Sequence, residues 1–307
     1  RYAAEPIEAL RGTALRMPLG GLLRGWGEAL PGPLRNLAAL GMLFIGGIWI
    51  TRLIARNMIL LERTYMPAII FLIVGCGSWY DPAALDLFAA TLLMIGSFDR
   101  TIGSFRREVV YTHIFNASLL LGIALLTYAP AAVYIPLLPV ALVLFRKRWR
   151  EWIVALAGLV LPTAICSYVW WALGRPLTEV PVRLWEALCD TWYAPAFLVH
   201  WLNPLLLLLW AMIAVLTVWS LVIFARQAHS MRTRPYKSYL YFIWILFFSA
   251  LPLIPPGRSV GELMLLAVPL AVIIPTCFNR RESTWLGIAY LLLLVSMIAY
   301  NLFPVSL

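Results

Sequence analysis

Charge is scarce in this sequence. Asp, Glu, Lys and Arg make up 12% of its 307 residues, about half the share usual in a soluble domain. With 63% apolar residues, a soluble fold would expose large greasy patches, which soluble monomers avoid. Cysteine is scarce too. Cys76, Cys166, Cys189 and Cys277 show no Cys-x-x-Cys spacing and read as small apolar side chains, not as a disulfide framework. His113, His200 and His229 lie far apart in sequence, so neither a metal site nor a cofactor is expected. The chain also lacks Gly-x-x-x-x-Gly-Lys, His-Glu-x-x-His and Gly-x-Ser-x-Gly, which excludes the commonest phosphate-loop, zinc-protease and serine-hydrolase chemistries. Internal repeats and rows of intramembrane charge are missing as well, which weighs against a transporter or a proton pump.

What the sequence has is long apolar runs. A bilayer core about 30 Å thick needs about 20 apolar residues per helix. The runs are continuous and do not alternate, which favours helices over a membrane barrel. The expected fold is therefore all-α and polytopic, with about ten transmembrane helices, several of them short hairpin helices. The runs are Leu37 to Ile54, Met66 to Trp79, Ala83 to Phe98, Ile114 to Tyr128 and Ala131 to Phe145. They continue as Trp152 to Leu173, Ala196 to Ala225, Tyr239 to Ile254, Leu263 to Phe278 and Trp285 to Leu302. Residues 34–307 form this bundle. Residues 1–33 form an outer segment in which Leu19, Leu22, Leu23, Trp26 and Leu30 share one helical face. That face fits either the membrane interface or the flank of the bundle.

The net charge of +10 reads as topology, not as nucleic-acid binding. Of the 24 Lys and Arg residues, 16 fall in alternate loops at 52–64, 99–112, 146–151, 226–237 and 279–282. The positive-inside rule puts those loops in the cytoplasm of a bacterial inner membrane. The N-terminal segment and the C-terminus then lie on the periplasmic side, and a further span upstream of Arg1 is expected. The run Arg146, Lys147, Arg148, Trp149, Arg150 is the strongest anchor, and such a run also attracts anionic lipid headgroups. Tryptophans near span ends, such as Trp79, Trp149, Trp152, Trp192 and Trp285, fit an aromatic belt.

The opposite side collects polar residues. Asp81 and Asp86 lie at the second hairpin turn. Arg175, Glu179, Arg183, Glu186 and Asp190 lie in a polar loop from Gly174 to Tyr193. His200 and Asn203 begin the next run, and Arg258 and Glu262 occupy the last outer loop. Carboxylates beside arginines at a bundle mouth can bind phosphate and supply a base. Asp81 and Asp86 are the candidate bases, and Arg183, Arg258 and His200 the candidate phosphate ligands. The plainer reading is that outer loops are polar because they meet water.

Residues Met17 to Gly174 carry a resemblance. Met17-Pro18-Leu19, Glu62-Arg63-Thr64-Tyr65-Met66-Pro67-Ala68, Leu121-Gly122-Ile123-Ala124 and Arg150-Glu151-Trp152 resemble an uncharacterised family of polytopic inner-membrane proteins from Bacteroidota. That resemblance implies no activity. The short hairpin helices and basic inner turns also resemble polyprenyl-phosphate-sugar-dependent membrane glycosyltransferases. Their paired acidic residues on the first outer loop have no counterpart here. The first expectation is thus a non-catalytic subunit that scaffolds a cell-envelope assembly, with membrane lipid and other envelope proteins as partners. The second is a transferase using a polyprenyl-phosphate-linked sugar at the outer leaflet, and a transporter is third. A transferase needs Asp81, Asp86, Arg183 and Arg258 in one outward cavity, whereas a scaffold needs a filled bundle.

Overall fold

In the computed structural model, every apolar run contributes a helix, and no strand occurs among the described residues. These are residues 17–60, 64–78, 85–106, 110–190, 204–227, 233–251, 263–278 and 284–302. Helices α1 (Pro18–Ala29) and α2 (Gly32–Asn57) open the chain, followed by α3 (Met66–Ser78) and α4 (Leu85–Gly103). After α5 (Tyr111–Thr127) comes a 3-10 stretch (Ala129–Tyr134) and the short α6 (Leu137–Leu144). Then follow α7 (Trp149–Ala172), α8 (Glu179–Asp190), α9 (Pro204–Gln227) and α10 (Thr233–Ala250). The last elements are α11 (Leu263–Ile273), α12 (Pro275–Phe278) and α13 (Thr284–Leu302).

Three helices are long and apolar enough to cross a bilayer: α2, α7 and the Leu207–Gln227 part of α9. They mark the chain as a membrane protein. Their outward faces are greasy: Phe44, Ile45 and Ile48 on α2, Leu156, Val160 and Ile165 on α7, and Val215, Val218 and Trp219 on α9 are all exposed. The other apolar helices are shorter. α5 has 17 residues, a rise of about 25 Å and so less than a hydrocarbon core. Residues 264 to 274, in and just after α11, are buried almost completely. A helix solvated by protein need not match the bilayer, so the short α5 and α11 can fill the centre while α2, α7 and α9 turn greasy faces outward.

Small residues set close helix contacts. α5 and α7 run parallel, with Ser118 and Gly122 of α5 facing Gly158 and Pro162 of α7. A Cβ at Gly122 would sit 2.7 Å from the Leu159 carbonyl oxygen, and one at Gly158 would meet Ser118 Oγ and the Phe115 carbonyl oxygen. Such backbone approach drives helix pairing in lipid, where burying apolar surface gains nothing. Buried hydroxyls tie the remaining core. Tyr134 Oη shares a 2.7 Å hydrogen bond with Ser249 Oγ of α10, and Tyr239 Oη a 3.1 Å bond with Thr276 Oγ1 of α12. Pro275 interrupts the run from α11 to α12. The Ile274 carbonyl beside it accepts from Ser220 Oγ of α9 at 3.2 Å.

The basic loops meet at one end. Arg56 at the end of α2 pairs with Asp99 of α4, Lys147 Nζ donates to the Ser104 carbonyl at 2.9 Å, and Lys237 Nζ lies 5.4 Å from the Phe105 ring centroid. Residues from the sequence segments 52–64, 99–112, 146–151 and 226–237 thus cluster in space. We call this the basic end.

One expectation is corrected. The segment from Gly174 to Tyr193, read as a polar loop, contains α8. Val180, which is fully buried, and Leu184 recur at helical spacing on it, and Pro181 is tolerated because it falls in the first turn. The N-terminal helix docks with a face other than its leucine face. Met17, Pro18, Gly20 and Gly27 are buried, and Gly20 lies against the Thr127 carbonyl oxygen. Leu22 and Trp26 of the predicted apolar face point outward, 63% and 73% exposed. Residues 1–16 lie outside the described residues.

Candidate functional site

The end opposite the basic one is built on the close of α7. Gly174 sits at φ 86°, a left-handed conformation that costs glycine little. Its N–H bonds the Trp171 carbonyl, and the next N–H, of Arg175, bonds the Trp170 carbonyl. This is a Schellman closure, which packs the residue after glycine onto the last helical turn. Here it lays the Arg175 guanidinium over the Trp170 ring, 4.5 Å from the centroid. Arg183 of α8 reaches the same ring at 5.0 Å. Glu179 accepts from both, at 3.4 Å from Arg175 Nη1 and 2.5 Å from Arg183 Nη2. The cluster is a cation–π and ion-pair clamp that fixes α8 against α7.

Arg183 is therefore engaged within the protein. Asp86 lies in the first turn of α4, half-buried and with interaction partners of its own. The antiparallel register of α4 and α5, with Ser97 Oγ bonding the Ala117 carbonyl at 2.7 Å, puts Asp86 near the Thr127 end of α5. Leu184 of α8 packs on Met17 and Ala129 there, so Asp86 and Arg183 share one end of the bundle. Asp81, His200, Asn203 and Arg258 lie outside the described residues. Among the described residues no three His, Cys, Asp or Glu side chains form a metal-binding group.

At the basic end, Arg146, Arg148 and Arg150 are exposed, and Lys147 is half-buried. Burial lowers the Lys147 pKa below its ordinary value, and the nearby Glu151 carboxylate partly opposes this. Arg146 takes a left-handed φ of 53° where α6 ends. The Lys147 N–H reaches the Leu142 carbonyl and the Arg146 N–H the Val143 carbonyl, another Schellman closure. The anchor run is thus also the tight turn that sends the chain into α7.

One site was missed by sequence reasoning. Between α2 and α4 at the basic end lies a cleft of about 410 Å³. Arg52, Arg56, Asp99 and Arg100 form its polar part, and Ile45, Ile48, Trp49 and Leu53 its apolar part. Asp99 is buried and receives Arg56 Nη2 at 2.6 Å. The Trp49 indole rests on Gly96, within 3.1 Å of where a Cβ would stand. The sequence held a partial signal, Arg52 and Arg56 at i, i+4 below Ile45, Ile48 and Trp49. That α4 supplies the other wall is a tertiary fact.

Comparison with protein-family models, with curated proteins and with solved structures finds no match.

Proposed function

We propose that this chain is a multi-pass protein of a bacterial inner membrane that acts as a non-catalytic subunit, scaffolding a cell-envelope assembly. In this reading the shorter helices also cross, about ten spans in all, sheltered by the long ones. The basic end faces the cytoplasm. The clamp at the other end, α1 and both chain termini face the periplasm. The observation that carries the reading is the state of Arg183. A phosphate-gripping arginine must present its guanidinium to a ligand, whereas this one is held by Glu179 over Trp170. The filled core points the same way. The kinship with the Bacteroidota inner-membrane family is part of this proposal.

The second reading is a transferase acting on a polyprenyl-phosphate-linked sugar, with Asp81 or Asp86 as base. Asp86 and Arg183 sharing one end of the bundle favours it. One experiment separates the two. The Asp81→Ala, Asp86→Ala double variant replaces the native protein in cells, and the native protein is purified after cross-linking in its membrane. The scaffold reading expects a stoichiometric envelope partner and wild-type behaviour of the double variant. Loss of function at normal abundance with no partner captured overturns it in favour of the transferase.

A further inference from the structure

The cleft between α2 and α4 joins two surfaces of opposite character. Its polar part carries three arginines and one carboxylate. Asp99 is taken by Arg56. No carboxylate among the described residues lies within ion-pair distance of Arg52 or Arg100, and both are exposed. Arg52 and Arg56 stand four residues apart on one helix face, where like charges repel. An anion in the cleft removes that repulsion and gains charge-assisted hydrogen bonds from guanidinium groups. The apolar part is continuous with the outward face of α2. Ile45 and Ile48 are 55% and 65% exposed there, beside the Trp49 indole.

A soluble anion would use only the arginines. A lipid uses both halves, phosphate at the arginines and acyl chain along the isoleucines. The cleft also sits at the end of a helix of spanning length, where a headgroup lies. Basic pockets between membrane helices on the cytoplasmic side are where anionic headgroups bind. We propose that this cleft binds the phosphate headgroup of an anionic membrane lipid, held by Arg52 and Arg100, with an acyl chain against Ile45 and Ile48. The paired Arg56 and Asp99 form its base, and Gly96 lets the Trp49 indole lie back against α4 and keep the groove open.

The test uses the full chain in nanodiscs of phosphatidylcholine with phosphatidylglycerol. Phosphatidylglycerol retained per protein is counted by native mass spectrometry after transfer to a neutral detergent. The Arg52→Gln, Arg100→Gln double variant should retain about tenfold less, the loss that removing charge-assisted hydrogen bonds produces. Ile48→Trp fills the apolar half, leaves the charge intact and should also lose retention. It carries the test should the double variant fail to fold. Arg226→Gln removes a charge at the same end, away from the cleft, and should retain lipid as wild type does. A second arm adds inorganic phosphate to the lipid-loaded protein and should leave the lipid bound. Wild-type retention by the arginine variant or by Ile48→Trp overturns the proposal, as does loss in Arg226→Gln. Displacement by inorganic phosphate also overturns it and makes the site one for free phosphate.

Discussion

Arg56 Nη2 lies 2.6 Å from Asp99 Oδ1, joining α2 to α4 across 43 residues of sequence. The carboxylate is buried and the guanidinium is nearly half-exposed. The asymmetry decides which loss is worse, because a buried charge without its partner is costly while an exposed one is hydrated. Arg56→Met should destabilise the protein by about 2 kcal/mol, less than for a fully buried pair because water reaches the arginine side. Asp99→Leu together with Arg56→Met should recover most of that. Thermal unfolding of the purified variants in detergent measures both. Equal stability of the single variant and the wild type would refute the role given to the pair.

Gly158 permits the α5–α7 contact by having no side chain. Gly158→Leu places atoms against the Phe115 carbonyl oxygen, which belongs to the backbone and cannot rotate away. The helices must separate, at a cost of about 3 kcal/mol or more. Gly21, where a Cβ would meet nothing within 4 Å, is the control, and Gly21→Leu should cost under about 1 kcal/mol. The same unfolding assay distinguishes them.

Arg146 and Gly174 both take left-handed backbone at helix ends, but only one is glycine. Arg146→Gly should stabilise by about 1 kcal/mol, and Gly174→Ala should destabilise by a similar amount. Opposite signs in one assay are the expected result. A loss on Arg146→Gly would mean that its side chain contributes more than its conformation costs.

Lys147 predicts a pH dependence. Its folded pKa is lowered, chiefly by burial, from the ordinary 10.5. Between the folded and ordinary values the unfolded chain binds more protons, so stability rises with pH in that window. Lys147→Gln should remove this slope while losing the hydrogen bond to the Ser104 carbonyl. Unfolding midpoints measured from neutral to alkaline pH, wild type against variant, give the answer.

The side assignment is open to chemical labelling. In a chain with its four cysteines replaced by serine, a cysteine at Arg148 should react with an impermeant reagent only when the cytoplasmic face is exposed. A cysteine at Glu186, on α8, should react only from the periplasm. Reaction of both from one side would break the assigned topology.

The sequence by itself determined that the chain is helical and belongs in a membrane. Long apolar runs have few other homes, and arginines collect at alternate ends of them. Gly174 marked the stop of α7 in plain letters, because glycine is what a left-handed helix end prefers. Arg146 and Met58 hold the same backbone conformation without glycine, so their turns were not legible. Helix α8 was hidden by its charges and Pro181, although Val180 and Leu184 carried its period. Only the tertiary structure decided which small residues pair. It brought Gly122 and Gly158 together, turned Leu22 and Trp26 of α1 outward, locked Arg183 onto Glu179 and set Asp99 against Arg56. The reason is physical. Transfer of an apolar run into lipid is a property of that run alone. In lipid one greasy helix face is as good as another, so partners are chosen by close packing and by polar groups that must find each other across space.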